Sequence, residues 1–318
     1  MNRVLLLFAC ALSLAVGPAA AEEVAGGKAT KTVRLLTVGN SFSQNATRYL
    51  GDLAKADGNT LVHHACSIGG GTMAQHLEKV ERLARDPQDT KGRYGTGKSL
   101  QEELVAEPWD FVTIQQASIA SHNIETYRPF ARQLHDFIKS HALDAEVLVH
   151  QTWAYRVDDP RFSRAKPRPG EPKTQQEMYE GLTSAYQTIA EELGAQRIPV
   201  GDAFYLADTD REWGYRPDRS FDLKQATPPA LPDQTHSLHV GWRWTKGDAG
   251  EPKLGMDGHH ANMAGQYLAG CVFYEVLFDQ SPVGNKFVPR GLDPEYARFL
   301  QKTAHRAVQR QQTAAATR

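Results

Sequence analysis

Short, continuously apolar runs alternate along this chain with stretches of helical periodicity, and that alternation limits the fold more than any other feature. Residues 33–38, 60–65, 110–114 and 146–150 read as strands, with 197–200 as a short fifth that Pro199 places at an edge. Residues 45–56 carry Tyr49, Leu50, Leu53 and Ala54 at helical spacing, and 73–84, 126–140, 175–193, 261–277 and 294–311 read as further helices. Strands that are apolar on both faces and separated by helices pair in parallel and are covered on both sides.

Such a sheet binds ligands at the carboxyl ends of its strands. Ser41, Gly69, Gly70, Gly71, Gln115, Gln116 and Gln151 each follow the end of an expected strand, so they converge on one edge. Two stretches break the rhythm. Residues 155–173 are rich in Pro and Arg and read as a long loop. Residues 207–254 hold several prolines with Trp213, Trp242 and Trp244. A structureless loop of that length is uncommon. This insertion is expected to be either a functional lid or a small unit with its own strands near residues 237–240.

Residues 1–21 carry one basic residue, Arg3, an apolar run and an Ala-rich end. They read as a secretory signal peptide cleaved after Ala21, which implies a periplasmic or extracellular protein. Without Arg3 the count is 35 basic against 37 acidic residues, a net charge of −2. Near-neutrality gives no reason to expect nucleic acid as a partner, and no later run is long enough for stable membrane association. A single domain is expected over residues 32–311, followed by a fraying tail at 312–318. Cys66 and Cys271 could pair after export or remain as two buried thiols. The oligomeric state is not legible.

The chemistry is carried by three short blocks. Ser41 lies at a strand-to-helix turn in Val38-Gly39-Asn40-Ser41-Phe42-Ser43, where backbone N–H groups can hold a developing oxyanion. Taken alone, such a serine is more often a helix cap, since Asn-Ser turns are common. Asp257 and His260 stand three apart at the expected entry to a helix. His260 would take the serine proton, and Asp257 would orient its ring. His259 competes for the base role, and Asp257 could instead be a cap. The glycines of Ser67-Ile68-Gly69-Gly70-Gly71-Thr72 let a backbone approach a ligand, and Gln115 offers a side-chain amide to the oxyanion. Metal-ligand spacing is lacking, so no metal or cofactor is expected.

Gly39-Asn40-Ser41-Phe42 resembles the first block of the SGNH (GDSL-like) hydrolases, Gly70-Gly71-Thr72 the second, and Asp257-Gly258-His259-His260 the Asp-x-x-His block. With Trp109-Asp110-Phe111-Val112 and Gln151-Thr152-Trp153-Ala154-Tyr155, the set is most similar to the DUF4886 branch. The usual Gly-x-Asn-Asp block is absent, and Gln115 occupies that strand end, as a glutamine does in sialate O-acetylesterase-like relatives. The resemblance implies an α/β fold, a three-layer α/β/α sandwich with a mostly parallel sheet of about five strands (SGNH/flavodoxin-like). It implies metal-free hydrolysis of acyl esters by Ser41, His260 and Asp257. The backbone N–H groups of Ser41 and Gly70, with Gln115 or Gln116, would hold the oxyanion.

Export and aromatic loops suggest an acetylated carbohydrate, as a small molecule or a polysaccharide. Gln116, Gln151, Trp153, Tyr155, Trp242 and Trp244 are the candidate substrate contacts. The rival expectations are a non-catalytic carbohydrate-binding protein on the same scaffold and a metal-dependent hydrolase.

Overall fold

The computed structural model describes residues 30–166 and 170–316. The expected signal peptide lies outside the described residues. Strands β1 (Thr32–Gly39), β2 (Thr60–Ser67), β3 (Phe111–Ile114), β4 (Glu146–His150) and β5 (Gln196–Ile198) form one sheet in the order β2-β1-β3-β4-β5. Every neighbouring pair is parallel. Leu35, Leu36, Val38, Val112, Ile114, Leu148 and Val149 are buried along it. The chain order reverses between β1 and β3, which opens a crevice at their carboxyl ends. Gly39 stands opposite Ser67, and Val38 opposite Ile114, so the chain leaves β1, β2 and β3 at one level.

Helices α1 (Ser41–Ala46), α2 (Leu50–Ala56), α3 (Met73–Arg85), α4 (Leu100–Leu104), α5 (Phe130–His141), α6 (Gln175–Leu193), α7 (Val200–Asp208), α8 (Met263–Phe278) and α9 (Pro294–Ala316) cover the sheet. α8 packs against α1, α2, α7 and α9, while α5 packs against α3, α4 and α6. This is the expected three-layer α/β/α arrangement. α8 is apolar on all sides, with Tyr267, Leu268, Val272 and Phe273 buried, as befits the middle of a layer. No helix among the described residues is long and apolar enough to cross a membrane. Cys66 and Cys271 are buried and free.

Several boundaries differ from the periodicity. The helix expected over 45–56 is two short helices, and the first starts at Ser41 itself. The helix expected from residue 126 starts at Phe130, after Pro129. β5 stops before Pro199, which precedes α7. α9 continues to Ala316, into the stretch expected to fray.

The insertion forms its own antiparallel ribbon, β6 (His239–Lys246) with β7 (Pro252–Ala261), separate from the main sheet. Asp257 and His260 therefore lie on a strand and not at a helix entry. Asn262 caps α8, its side chain accepting from the Gly265 N–H. A two-stranded ribbon alone is marginal in water. This one is fastened by Arg156, a fully buried cation paired with Asp158 at 2.7 Å and donating to Gln234 at 2.7 Å and Ser237 at 3.3 Å. The Arg156 backbone N–H also donates to the Gly258 carbonyl at 2.8 Å.

Candidate active site

The turn that carries Ser41 is shaped by Asn40. This buried residue stands in extended conformation before α1 and caps it, its Oδ1 accepting the Phe42 N–H at 2.9 Å. Its Nδ2 donates to the Gly71 carbonyl at 2.9 Å, joining the turn after β1 to the glycine turn after β2. Gly39 is required by space, because a Cβ there would collide with Ser43 Oγ and lie 2.9 Å from Gln115 Cγ. Ser41 is the first residue of α1, so its backbone N–H has no partner within the helix. Gly70 has φ 62°, and an added Cβ would meet nothing within 4 Å; conformation, not packing, calls for glycine there.

Ser41 Oγ lies 2.9 Å from His260 Nε2. The opposite ring nitrogen, Nδ1, is 3.1 Å and 3.2 Å from the two oxygens of Asp257. The backbone N–H of His260 also donates to Asp257, at 3.1 Å. His259 does not reach Ser41 in this arrangement; its Nδ1 is 3.2 Å from Asp257 Oδ1, so one carboxylate serves two imidazoles. Burial opposes the ionisation of Asp257. The hydrogen bonds from the His260 ring and backbone, with the nearby imidazoles, outweigh burial and hold the carboxyl well below the usual carboxylate range. Burial, then the neighbouring His260, pushes the His259 imidazole down.

Ser41 and His260 open into a cleft of about 220 Å³ whose walls include Asn40, Gly70, Ser118, Ile119, Tyr155, Arg161 and His259. Ile119, Tyr155 and Arg161 also border an adjoining side pocket with His122, Glu171 and Met178.

Of the residues expected at the site, Ser41, Gly70, Tyr155, Asp257 and His260 are brought together, and the others are not. Gln115 is buried behind Asn40, donating to its Oδ1 at 2.8 Å and accepting from Ser43 Oγ and, at 3.1 Å, from His150 Nδ1. Its amide is thus spent on holding the turn and does not face the cleft, which corrects its expected place in the oxyanion hole. Gln116 accepts from the Ala117 N–H and donates to the Thr126 carbonyl. Gln151 donates to Thr183 and Asp202. Both are buried strand-end amides that satisfy neighbouring groups, and neither borders the cleft.

The tryptophans differ likewise. Trp153 is fully buried, stacked between Phe42 at 4.4 Å and Phe204 at 4.5 Å, and its indole N–H donates to the His259 carbonyl at 2.9 Å. It supports the site from below. Trp242 pairs through its backbone with Gln234, and the Trp244 indole donates to the Ala230 carbonyl at 2.9 Å. Neither borders the cleft, so these two tryptophans brace the insertion itself, while Trp213 stacks on Tyr296 and Phe299 of α9.

Sequence reasoning missed Ser118 and Arg161. Ser118 follows β3 on the same sheet edge as Gln115, which was the available signal. Arg161 sits on a short 3-10 turn, Pro160–Ser163, inside the loop dismissed as Pro- and Arg-rich. Among the described residues, Asp257, His259 and His260 form the group whose ligand atoms, within 4.8 Å of one another, could hold a cation. A cation there would displace the hydrogen bond that orients the His260 ring.

A family model described as Domain of unknown function (DUF4886) matches residues 34–210. A DUF4886 family protein from Bacteroides uniformis ATCC 8492 is 24% identical, with a TM-score of 0.65 over 87% of this chain and 95% of that one. A protein of Slackia heliotrinireducens, provisionally assigned as an SGNH hydrolase, is 22% identical, with a TM-score of 0.45 over 77% of this chain and 98% of that one. A Parabacteroides merdae ATCC 43184 protein, provisionally assigned as a GDSL-like lipase, is 13% identical, with a TM-score of 0.43 over 78% and 96%. No functionally curated protein matches this sequence.

Proposed function

The chain belongs to the DUF4886 family, whose description assigns no activity, and from its site we propose that it is a serine esterase acting on acyl esters. The observation that carries this reading is the continuous path from Ser41 Oγ through the His260 ring to Asp257, with contacts of 2.9 Å and 3.1 Å. In the neutral imidazole, Nδ1–H donates to Asp257 and Nε2 accepts from the serine hydroxyl. Ser41 attacks the ester carbonyl while His260 takes its proton. Asp257 stabilises the imidazolium, which then protonates the leaving alcohol. Water, activated by the same ring, releases the acid.

The tetrahedral oxyanion falls to the backbone N–H groups of Ser41 and Gly70, both on the cleft wall. With Gln115 turned inward, Asn40 shapes this hole without being asked to donate to it. A cleft of about 220 Å³ suits a short acyl group with the alcohol reaching outward, so acetyl esters of carbohydrates met outside the cytoplasm are the proposed substrates. The binding-only alternative loses support, because the tryptophans it relied on stand away from the cleft.

The test is turnover of acetyl, butyryl and long-chain esters and of acetylated polysaccharides by the wild type and Ser41→Ala. Hydrolysis favouring acetyl and abolished by Ser41→Ala supports the reading. Turnover that survives Ser41→Ala, or none on any ester, overturns it.

A further inference from the structure

Arg161 is a cation built into the wall of the Ser41 cleft and, among the described residues, it forms no ion pair. Its guanidinium lies 5.0 Å from the Tyr155 ring centroid, and its Nη1 donates to the Tyr155 hydroxyl at 3.2 Å. Tyr155 is itself buried, and its hydroxyl is 3.0 Å from Ser118 Oγ. The guanidinium is therefore held by a fixed neutral platform, so little side-chain freedom remains to be lost on binding a ligand.

Three arginines around the strand ends and the ribbon meet a carboxylate. Arg156 meets Asp158 at 2.7 Å, Arg197 meets Asp202 at 3.0 Å, and Arg243 meets Asp257 at 3.6 Å. Among the described residues no carboxylate lies within ion-pair distance of the Arg161 guanidinium. Its neighbour Asp159 accepts the Arg161 backbone N–H at 2.8 Å through Oδ1, while Oδ2 is packed against Gly258. No Asp or Glu borders the Ser41 cleft among the described residues; Glu171 borders only the adjoining side pocket.

We propose that Arg161 is an anion subsite, and that the preferred ester carries a carboxylate or phosphate on the part held in the Ser41 cleft. The proposal rests on the esterase reading for its catalytic consequence. The chemistry is that of a planar fork donating to anionic oxygens in a partly dehydrated cleft, where a charge-assisted hydrogen bond is roughly twice as strong as a neutral one. A neutral sugar ester would leave the cation facing water. An anionic one would neutralise it, and the carbonyl would be drawn toward Ser41 by the same contact.

The experiment compares kcat/KM for an O-acetylated uronic acid, an O-acetylated sugar phosphate and the neutral carboxamide of the first. In the wild type at least one anionic ester should exceed the carboxamide by about 10–100-fold, the range for hydrogen bonds to charged groups. Which of the two does so distinguishes carboxylate from phosphate. Arg161→Gln should bring the anionic-to-neutral ratio near one, and Arg161→Lys should retain part of it. The ratio is internal to each variant, so partial loss of folded protein does not disturb it. Ser41-dependent hydrolysis with a wild-type ratio near one overturns the subsite and leaves the esterase standing.

A calorimetric arm, on Ser41→Ala protein with and without Arg161→Gln, measures binding of glucuronate, glucose 6-phosphate and glucuronamide. If no ester is hydrolysed yet glucuronate or the sugar phosphate binds in an Arg161-dependent way, the subsite stands and the esterase reading falls. Equal binding of the three ligands overturns the subsite.

Discussion

The side chain of Asn45, on the helix that begins with Ser41, accepts the backbone N–H of Ala261 at 3.0 Å. Ala261 directly follows His260. One hydrogen bond thus ties the helix bearing Ser41 to the strand bearing His260, and it sets their separation more directly than any contact through the core. Asn45→Ala should lower kcat about tenfold or more with little change in KM, because misplacements on the order of 1 Å cost as much as a hundredfold. Unchanged kcat would show that the ribbon is positioned by Arg156 and Asn262 without it.

Gln115 offers a second test. Gln115→Leu removes the acceptor of Ser43 Oγ and His150 Nδ1 and the donor to Asn40, all buried. Each stranded polar group costs about 1–3 kcal/mol. The expected result is a loss of roughly 2–5 kcal/mol in urea unfolding, accompanied by lower kcat as Asn40 loosens. A drop in kcat with unfolding free energy unchanged would return Gln115 to the oxyanion hole.

Acid stability follows from three fully buried histidines. Burial lowers His76 to about 4, and His150 and His239 to about 3. The unfolded chain protonates them near 6.5, so their contribution is complete above that pH and is lost as pH falls toward 4. Asp208 works in the opposite direction: burial raises it to about 7, so the folded form holds its proton longer than the unfolded one. With His63, which burial likewise lowers to about 4, a net of three protons then tilts stability by roughly 4 kcal/mol per pH unit between about 6 and 4. The urea midpoint should fall steeply over that range and flatten in His239→Asn, whose loss removes one proton. A midpoint constant from pH 7 to 5 contradicts this.

The insertion's tryptophans should act on stability and not on substrate size. Trp244→Ala removes the bond to Ala230 and should lower the melting temperature, with equal effects on small activated esters and large natural-type esters. Selective loss on the large ester would place Trp244 on the substrate path after all.

The main sheet was legible because its strands are apolar on both faces and need no tertiary information to be recognised. β5 and α7 were blurred because Pro199 closes a strand and opens a helix within one residue. The spacing of Asp257 and His260 was visible, but their element was not: the Gly- and His-rich segment Gly255 to His260 has neither a helical nor a clear strand pattern. The two glutamines after β3 were misread for a physical reason. A polar residue at the ligand edge of a sheet can face the ligand or satisfy the buried backbone beside it, and sequence position is the same in both cases. Arg161 escaped notice because sequence alone does not show which arginines meet a carboxylate and which border a cleft.

Ser41 and His260 are separated by 219 positions, and the family model ends at residue 210, before the ribbon begins. In the proposed esterase, the nucleophile and its oxyanion donors are therefore complete long before the base exists in a chain made from its amino terminus. A nascent or truncated chain ending near residue 210 carries an unactivated serine that is chemically inert toward esters. On the proposed reading, turnover therefore requires synthesis through the ribbon, and it reports closure of the seam between Asn45 and Ala261 as well as folding of the sheet.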